Sequence, residues 1–309
     1  MLDIAEELVA LGERQGDTAI LAADTLARRL KEKNIEYQVE TIDTWLPVAS
    51  SSLTVDGKNV DSAPTSFIGG NISGKDALVS SLIPTRYLID MPNINFNPRS
   101  RALSLPNFYF APSLAVRSQD VDRILAGTKI EGVVEVEKRQ YALPQLLVGN
   151  STDPANIVFS HYDSIGPGAI DNASGTAVSL SLAMDADFRK NTLFVFDPNE
   201  ELSYDHPTYW GHGYRVFESR HADLLEKASR ILVIDCVGNG VPQAISDPRI
   251  LNLAFPILGL EKLLDKTLTI GGDIEKMLEV YQSDIDFTDL LTEKYLLETK
   301  DLIAGLLKG

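Results

Sequence analysis

Apolar residues recur at helical spacing through the first 35 residues, where they include Leu8, Leu26 and Leu30. The pair Gly16 and Asp17 interrupts this spacing, so the pattern predicts two helices separated by a turn. The next stretch, YQVETID, alternates apolar and polar residues in the manner of a strand. The N-terminal region is therefore predicted to be two helices followed by a strand.

The pattern changes between Trp45 and about Leu125, where Gly, Pro, Asn and Ser separate short apolar runs. Such punctuation is typical of short strands joined by turns. The segment keeps aromatic and branched residues that a disordered linker would lack. We therefore predict a mostly β module, residues 49–125, inserted into a larger domain formed by residues 1–48 and 126–309.

Strand and helix patterns alternate in the second half of the chain. After two alternating stretches in KIEGVVEVEKRQYALPQLLVGN come the strand NIVFSHYD, the helix DNASGTAVSLSLAMDA, the strand NTLFVFD, a mostly helical segment from Pro207, and the strand RILVIDCVG. Nearly continuous apolar strands that alternate with helices indicate a parallel sheet covered on both faces. The predicted fold class is α/β, with a mostly parallel mixed sheet, helices on both faces and the smaller β module.

Composition limits the partners of the protein. The chain has 309 residues, 44% of them hydrophobic, and a formal charge of −16, which argues against nucleic acid and anionic membranes as partners. No apolar run approaches the length of a membrane span, and the segment after Met1 is amphipathic and acidic, unlike a secretory signal. The single cysteine, Cys236, excludes an intramolecular disulfide. We predict a cytoplasmic protein; whether it forms a homo-oligomer is left open.

The segment HYDSIGPGAIDNASGTA carries three candidate site residues at a predicted strand end, the edge where open α/β sheets bind ligands. His161 offers an imidazole nitrogen to a metal, and Asp163 is placed to orient that ring. Asp171 follows after a glycine-rich turn that can bend the chain back toward His161. The alternative for Asp171 is an ordinary helix cap.

Three further acidic residues follow the next two predicted strands. In NEEL, one of Glu200 and Glu201 can bind a metal while the other acts as general base on a metal-bound water. The alternative is a solvated surface pair. Asp235 ends a very apolar strand, where a carboxylate is costly to bury unless it is paired or metal-bound.

These motifs resemble those of the zinc aminopeptidase family, which includes leucyl aminopeptidases, glutamate carboxypeptidases and glutaminyl cyclases. The resemblance covers residues 1–48 and 126–309, and its most specific part is the match to His-x-Asp and Gly-Ala-x-Asp-Asn-Ala-Ser-Gly. It implies a zinc-exopeptidase fold in which His161 and Asp235 bind one zinc ion, Asp171 bridges two ions, Glu201 binds the second and Glu200 is the base. The inserted module then corresponds to a lid or a protease-associated-like module.

One position departs from the family pattern. The family's late Tyr-His-Thr/Ser-x-x-Asp motif corresponds here to YQSDID, with Gln282 in place of the histidine. An amide oxygen is a weaker zinc ligand than an imidazole. We therefore predict one zinc ion and leave a second open. His206 and His212 are considered as replacement ligands, with a pocket wall or helix start as the alternative.

The predicted function is hydrolysis of peptides with a free N-terminus by a zinc aminopeptidase, using metal-activated water and Glu200 as base. Two alternatives stay open. One is a single-zinc, glutaminyl-cyclase-like acyltransferase. The other is a non-catalytic descendant that binds a peptide or partner, for which the replacement by Gln282 is the main support.

Overall fold

The computed structural model describes residues 1–81 and 91–308, so residues 82–90 of the predicted insertion lie outside the described part. The helices are α1 Leu2–Val9, α2 Asp17–Glu32, α3 Val121–Ala126, α4 Ser174–Ala183, α5 Ala186–Arg189, α6 His212–Lys227, α7 Pro248–Ala254, α8 Ile274–Val280 and α9 Glu293–Lys308. The strands are β1 Tyr37–Val55, β2 Lys58–Val60, β3 Ser62–Pro64, β4 Gly70–Ser73, β5 Leu78–Ser80, β6 Asn93–Phe96, β7 Ser113–Val116, β8 Ile130–Gly149, β9 Asn156–His161, β10 Thr192–Asp197, β11 Arg230–Ile234, β12 Gln243–Ile245 and β13 Thr267–Gly271.

The chain divides into two compact units. The first comprises Met1–Thr44, Tyr141–Met277 and Asp286–Gly309, and the second comprises Trp45–Gln140 and Leu278–Ile285. The predicted insertion, residues 49–125, falls within the second unit. That unit also contains parts of β1 and β8, together with the segment 278–285.

A mixed sheet forms the centre of the first unit, with strand order β12-β13-β11-β9-β10-β8-β1. Strand β9 pairs in parallel with β10 and β11, and β11 pairs in parallel with β13. Strands β8 and β12 are antiparallel to their neighbours β10 and β13. The predicted α/β fold with a mostly parallel mixed sheet is confirmed.

Helices cover both faces of this sheet. On one face Phe159 of β9 packs against Tyr214 and Phe217 of α6 and against Phe255, with ring centroids 4.8 to 5.6 Å apart. Helix α4 packs on β9 and β10, and α1 and α9 pack on α4. Every residue of β9 and β10 is buried, because neither face meets solvent. This double burial explains why the inner residues of these strands are mostly apolar in the sequence.

The boundaries of two predicted elements are corrected by the structure. The stretch predicted as two strands forms one strand, β8, whose exposed middle residues interrupt the apolar pattern without breaking the backbone pairing. The helix predicted from Asp171 begins at Ser174, because residues 169–173 form an irregular turn with non-helical backbone angles at Asp171 and Asn172.

The second unit is mostly β in its described part, as predicted. A four-stranded sheet has the order β3-β7-β6-β5, while β2 pairs with β1 and β4 pairs with β8. Its core is apolar and includes Leu53, Ile72, Ile94, Leu114 and Ile130. None of the helices in the described ranges combines the length and the apolar character that a membrane crossing requires.

Candidate metal centre

The carboxyl ends of three adjacent strands carry the candidate site. His161 is the last residue of β9, Glu200 and Glu201 follow β10, and Asp235 follows β11. Because β9 pairs in parallel with both β10 and β11, these three strand ends lie side by side. The sheet topology thus gathers residues that are up to 74 positions apart in sequence.

In one group of three candidate ligands, the two distances from the imidazole nitrogen suit a zinc ion. The Nε2 atom of His161 lies 3.3 Å from Oδ1 of Asp171 and 3.4 Å from Oδ1 of Asp235. Tetrahedral zinc with bonds of about 2.1 Å has neighbouring ligand atoms about 3.4 Å apart. One imidazole and two carboxylates are also donors that zinc accepts. The residues of this group therefore fit a zinc ion in both distance and chemistry.

The irregular turn 169–173 places Asp171. Gly168 precedes it with a φ of +58°, and a Cβ there would lie 2.3 Å from the carbonyl oxygen of Asp171, so a larger residue cannot be accommodated. Asn172 donates its side-chain N–H to the carbonyl oxygen of Ile234 and accepts the N–H of Gly175. These bonds tie Asp171 to the end of β11, next to Asp235. The N-cap of α4 is Ala173, so Asp171 does not serve as its cap.

Asp163 connects the imidazole to the paired glutamates. One of its carboxylate oxygens lies 3.3 Å from Nδ1 of His161, on the ring edge opposite the ligand-facing nitrogen. The two oxygens accept the backbone N–H groups of Glu200 at 3.1 Å and Glu201 at 2.9 Å. A carboxylate that holds the second ring nitrogen fixes the orientation of a metal-binding histidine. The Asp163 carboxylate thus contacts both the imidazole and the backbone of the paired glutamates, and its role in orienting a metal ligand stays a prediction.

A second group consists of His161, Glu200 and Glu201, whose ligand atoms lie within 4.8 Å of one another. Both glutamates are buried, so the alternative of a solvated surface pair does not apply. Each carboxylate can thus face a metal ion or a reacting group at this edge of the sheet.

Burial and mutual repulsion raise the pKa of several carboxyl groups in the site. Burial is the largest cause for Asp171, Glu200 and Glu201, and the neighbouring carboxylates raise the pKa of each further. Burial alone would lower the pKa of His161, but the adjacent aspartates raise it well above its usual value. Such a concentration of buried negative charge is costly unless a cation compensates it. A bound metal ion would supply that compensation.

The structure does not bring His206 or His212 into either ligand group of the described residues. His212 uses Nδ1 for the carboxylate of Asp205 at 2.9 Å and Nε2 for the carbonyl oxygen of Asp43 at 3.1 Å. His206 is exposed. Both ring nitrogens of His212 are therefore engaged away from the candidate ligands.

Gln282 belongs to the second unit, and its role as a ligand stays a prediction. Gln282 is buried and has a backbone φ of +46°. Its backbone carbonyl oxygen accepts the N–H of Leu105 at 2.8 Å.

Two residues of the site were not identified from the sequence. The carboxylate of Asp286 accepts the backbone N–H groups of Ile170 at 2.9 Å and Asp171 at 3.2 Å. It is the last residue of YQSDID, so the family motif was the signal that could have identified it. Arg14 is fully buried and binds the loop that follows β9. No local pattern distinguishes this arginine from a surface residue.

Comparison with known proteins supports the resemblance. Residues 145–215 match the family model described as peptidase family M28, a segment that contains the candidate residues from His161 to Glu201. No curated protein matches the chain in sequence.

Solved structures share the fold at low sequence identity. BSAP, a zinc aminopeptidase from Bacillus subtilis, has a TM-score of 0.69 at 14% identity, covering 98% of this chain and 93% of its own. A peptidase M28 precursor from Shewanella amazonensis has a TM-score of 0.64 at 15% identity, covering 99% and 91%. A glutaminyl cyclase from Porphyromonas gingivalis has a TM-score of 0.53 at 12% identity, covering 99% and 96%. The predicted resemblance is therefore confirmed: residues 145–215 match peptidase family M28, and the fold is that of the zinc aminopeptidases.

Proposed function

We propose that the protein is a zinc-dependent aminopeptidase that hydrolyses peptides with a free N-terminus. The observation that carries the proposal is the group His161, Asp171 and Asp235, with ligand atoms spaced as around one zinc ion. The match to peptidase family M28 supports peptide hydrolysis. Excess negative charge at the site favours a substrate with a protonated amine close to the bond that is cleaved.

Glu200 is the proposed general base. When bound, zinc supplies a Lewis acid that polarises a peptide carbonyl and lowers the pKa of water. Burial raises the pKa of the Glu200 carboxyl well above its usual value, and the neighbouring aspartates raise it further. A nearby cation lowers the pKa of this carboxyl and keeps it ionised, and an ionised carboxylate in a buried position can accept a proton. Glu200 then takes a proton from the attacking water and delivers it to the leaving amine.

Asp163 is proposed to support both metal binding by His161 and proton transfer by Glu200, without touching the substrate. Its carboxylate holds the imidazole of His161 and the backbone of Glu200 through the contacts described above. It thereby fixes the position of the proposed metal ligand relative to that of the proposed base. We propose that this coupling is its contribution to catalysis.

A second ion is proposed to be weakly held. Glu201 is its proposed ligand, with Asp171 as the bridging carboxylate and Gln282 in the position of the missing histidine. Carboxylate and amide oxygens suit hard cations such as Mn²⁺, Mg²⁺ or Ca²⁺ better than zinc. Zinc-only conditions should therefore load about one ion per chain. The cytoplasmic location stays a prediction from the sequence.

The second candidate is a single-zinc cyclase of glutaminyl-cyclase type. One observation favours it: the glutaminyl cyclase from Porphyromonas gingivalis shares its fold with 99% of this chain. Such an enzyme would close an N-terminal glutamine with release of ammonia and would leave the peptide bonds intact.

The test combines metal analysis with two assays on the same protein. Zinc per chain is measured by elemental analysis after dialysis against buffer without added metal. A peptide set with free and acetylated N-termini, including one that begins with glutamine, is then followed by mass spectrometry. We expect about one zinc per chain and release of the N-terminal residue from free peptides alone.

The base is tested with Glu200→Gln, with the exposed Glu226→Gln as matched control. Loss of a general base should lower turnover by roughly 10²- to 10⁴-fold while zinc content is retained. Unchanged turnover in Glu200→Gln would refute the mechanism. In the wild-type assay, release of ammonia without peptide cleavage would favour the cyclase. A wild type that holds no zinc and is inactive would favour the non-catalytic protein that binds a peptide or partner.

A further inference from the structure

Arg14 lies in the turn between α1 and α2 and has no solvent exposure. Its Nε donates to the carbonyl oxygen of Tyr162 at 2.6 Å, Nη1 donates to that of Pro167 at 2.6 Å, and Nη2 donates to that of Gly168 at 2.9 Å. The backbone of Arg14 also forms an antiparallel bridge with Ser164. One residue thus holds the loop at its start, middle and end.

This loop, residues 162–168, joins His161 at the end of β9 to the turn that carries Asp171. The guanidinium group has five N–H donors in a rigid planar fork, so it can fix several carbonyl oxygens at once. If the loop moved, the separation between Nε2 of His161 and Oδ1 of Asp171 would move with it. Binding of the loop by Arg14 therefore bears directly on the spacing of two zinc ligands.

Nearby carboxylates offset the cost of burying the guanidinium. Burial lowers the pKa of Arg14 to about 10, and the charges of Asp163, Asp286 and Asp171 oppose that decrease. The side chain is thus charged at neutral pH, yet its side-chain hydrogen bonds within the described ranges go to carbonyl oxygens. The carboxylates consequently keep their oxygens available for other partners.

We propose that Arg14 is a positioning residue that holds the loop 162–168 so that His161 and Asp171 are spaced for zinc before the ion arrives. The inference rests on the proposed zinc site.

Two other roles of Arg14 predict different zinc affinities when the residue is replaced. A cation that only repels metal ions would weaken zinc binding, so its removal would tighten binding. A residue that only stabilises the fold would leave zinc affinity unchanged below the unfolding temperature.

The experiment measures zinc affinity of Arg14→Lys and Arg14→Met by competition with a chromophoric chelator, well below each variant's unfolding midpoint. Arg14→Lys keeps the charge and most of the side-chain length, so it tests the fork even if Arg14→Met does not fold. The matched control is Arg28→Lys in α2, an exposed arginine that pairs with Glu7 and Glu32. Hydrogen exchange of residues 162–171 in the metal-free proteins provides a second readout.

We expect Arg14→Lys to bind zinc roughly 10- to 100-fold more weakly than wild type, as when other partners that orient metal ligands are removed. Amide exchange in the loop should be faster in the metal-free variant, and Arg28→Lys should match wild type in both measurements. Unchanged or tighter zinc binding in Arg14→Lys would overturn the inference and leave the proposed zinc site intact. A wild type that binds no zinc would overturn both.

Discussion

Replacing Asp163 with asparagine tests whether one carboxylate couples the proposed zinc ligand His161 to the proposed base Glu200. The native side chain offers an oxygen to the N–H of Glu200, an oxygen to the N–H of Glu201 and a charged partner to Nδ1 of His161. Asparagine retains one oxygen and presents an NH₂ group in place of the other. One backbone N–H then faces a donor, and the imidazole loses its charged partner.

The expected cost follows from these contacts. A hydrogen bond to a charged group contributes about 1.5 to 3 kcal/mol, and a buried donor left without an acceptor costs about 1 to 3 kcal/mol. Asp163 is fully buried, so solvent does not replace the missing acceptor. The lost negative charge also relieves repulsion of Asp171, Glu200 and Glu201 in the metal-free protein. We therefore expect Asp163→Asn to lower the free energy of unfolding of the metal-free protein by about 1 to 3 kcal/mol. Zinc affinity should fall by roughly 10- to 100-fold.

Urea unfolding in the presence of a chelator measures the first quantity, and competition with a chromophoric chelator measures the second. Asp187→Asn is the matched control, because this aspartate is 83% exposed and pairs only at the surface with Lys190. That variant should change stability by less than about 0.5 kcal/mol. If Asp163→Asn unfolds like wild type and binds zinc with wild-type affinity, the proposed coupling through this carboxylate is wrong.

Four further changes probe the ligand set, the pH response and the core. Gln282→His should raise zinc content from about one to about two ions per chain, because imidazole is the better zinc ligand; elemental analysis that shows no increase would reject the alignment of YQSDID. His212→Ala should leave zinc content unchanged, and a loss of zinc in that variant would show that this histidine is a ligand. Burial raises the pKa of Asp197 to about 7, so the folded protein holds a proton there that the unfolded chain releases above about pH 4. The free energy of unfolding should therefore fall by about 1.4 kcal/mol between pH 6 and pH 8 because of this group. Urea unfolding of Asp197→Asn should not show that decrease. Phe217→Ala removes a fully buried ring from the aromatic cluster on β9 and should cost about 3 to 5 kcal/mol of unfolding free energy, a value that thermal unfolding near wild type would contradict.

The alternation of helices and strands from α1 to β11 in the first unit was largely predictable from the sequence alone. Helices α1 and α2 and strands β9, β10 and β11 were predictable because burial imposes a strong local pattern, with a period of 3.6 in an amphipathic helix and a continuous apolar run in a doubly covered strand. The candidate ligands were predictable for a related reason. A polar residue directly after such a strand must lie at the sheet edge, and parallel pairing brings these edges together.

Only the tertiary structure decided which groups hold the ligands in place. Arg14 lies 148 positions in sequence from Tyr162, one of its hydrogen-bond acceptors on the loop. Asp286 lies 115 positions in sequence from Asp171. Neither contact leaves a trace in local periodicity, because a buried arginine bonded to carbonyl oxygens has the same neighbours in sequence as a solvated one. Likewise, the contacts of His212 with Asp205 and with the carbonyl oxygen of Asp43, which argue against this candidate ligand, cannot be deduced from sequence spacing. The sequence therefore determined the donors at the strand ends, whereas long-range hydrogen bonds and burial, which depend on the folded chain, decided their orientation.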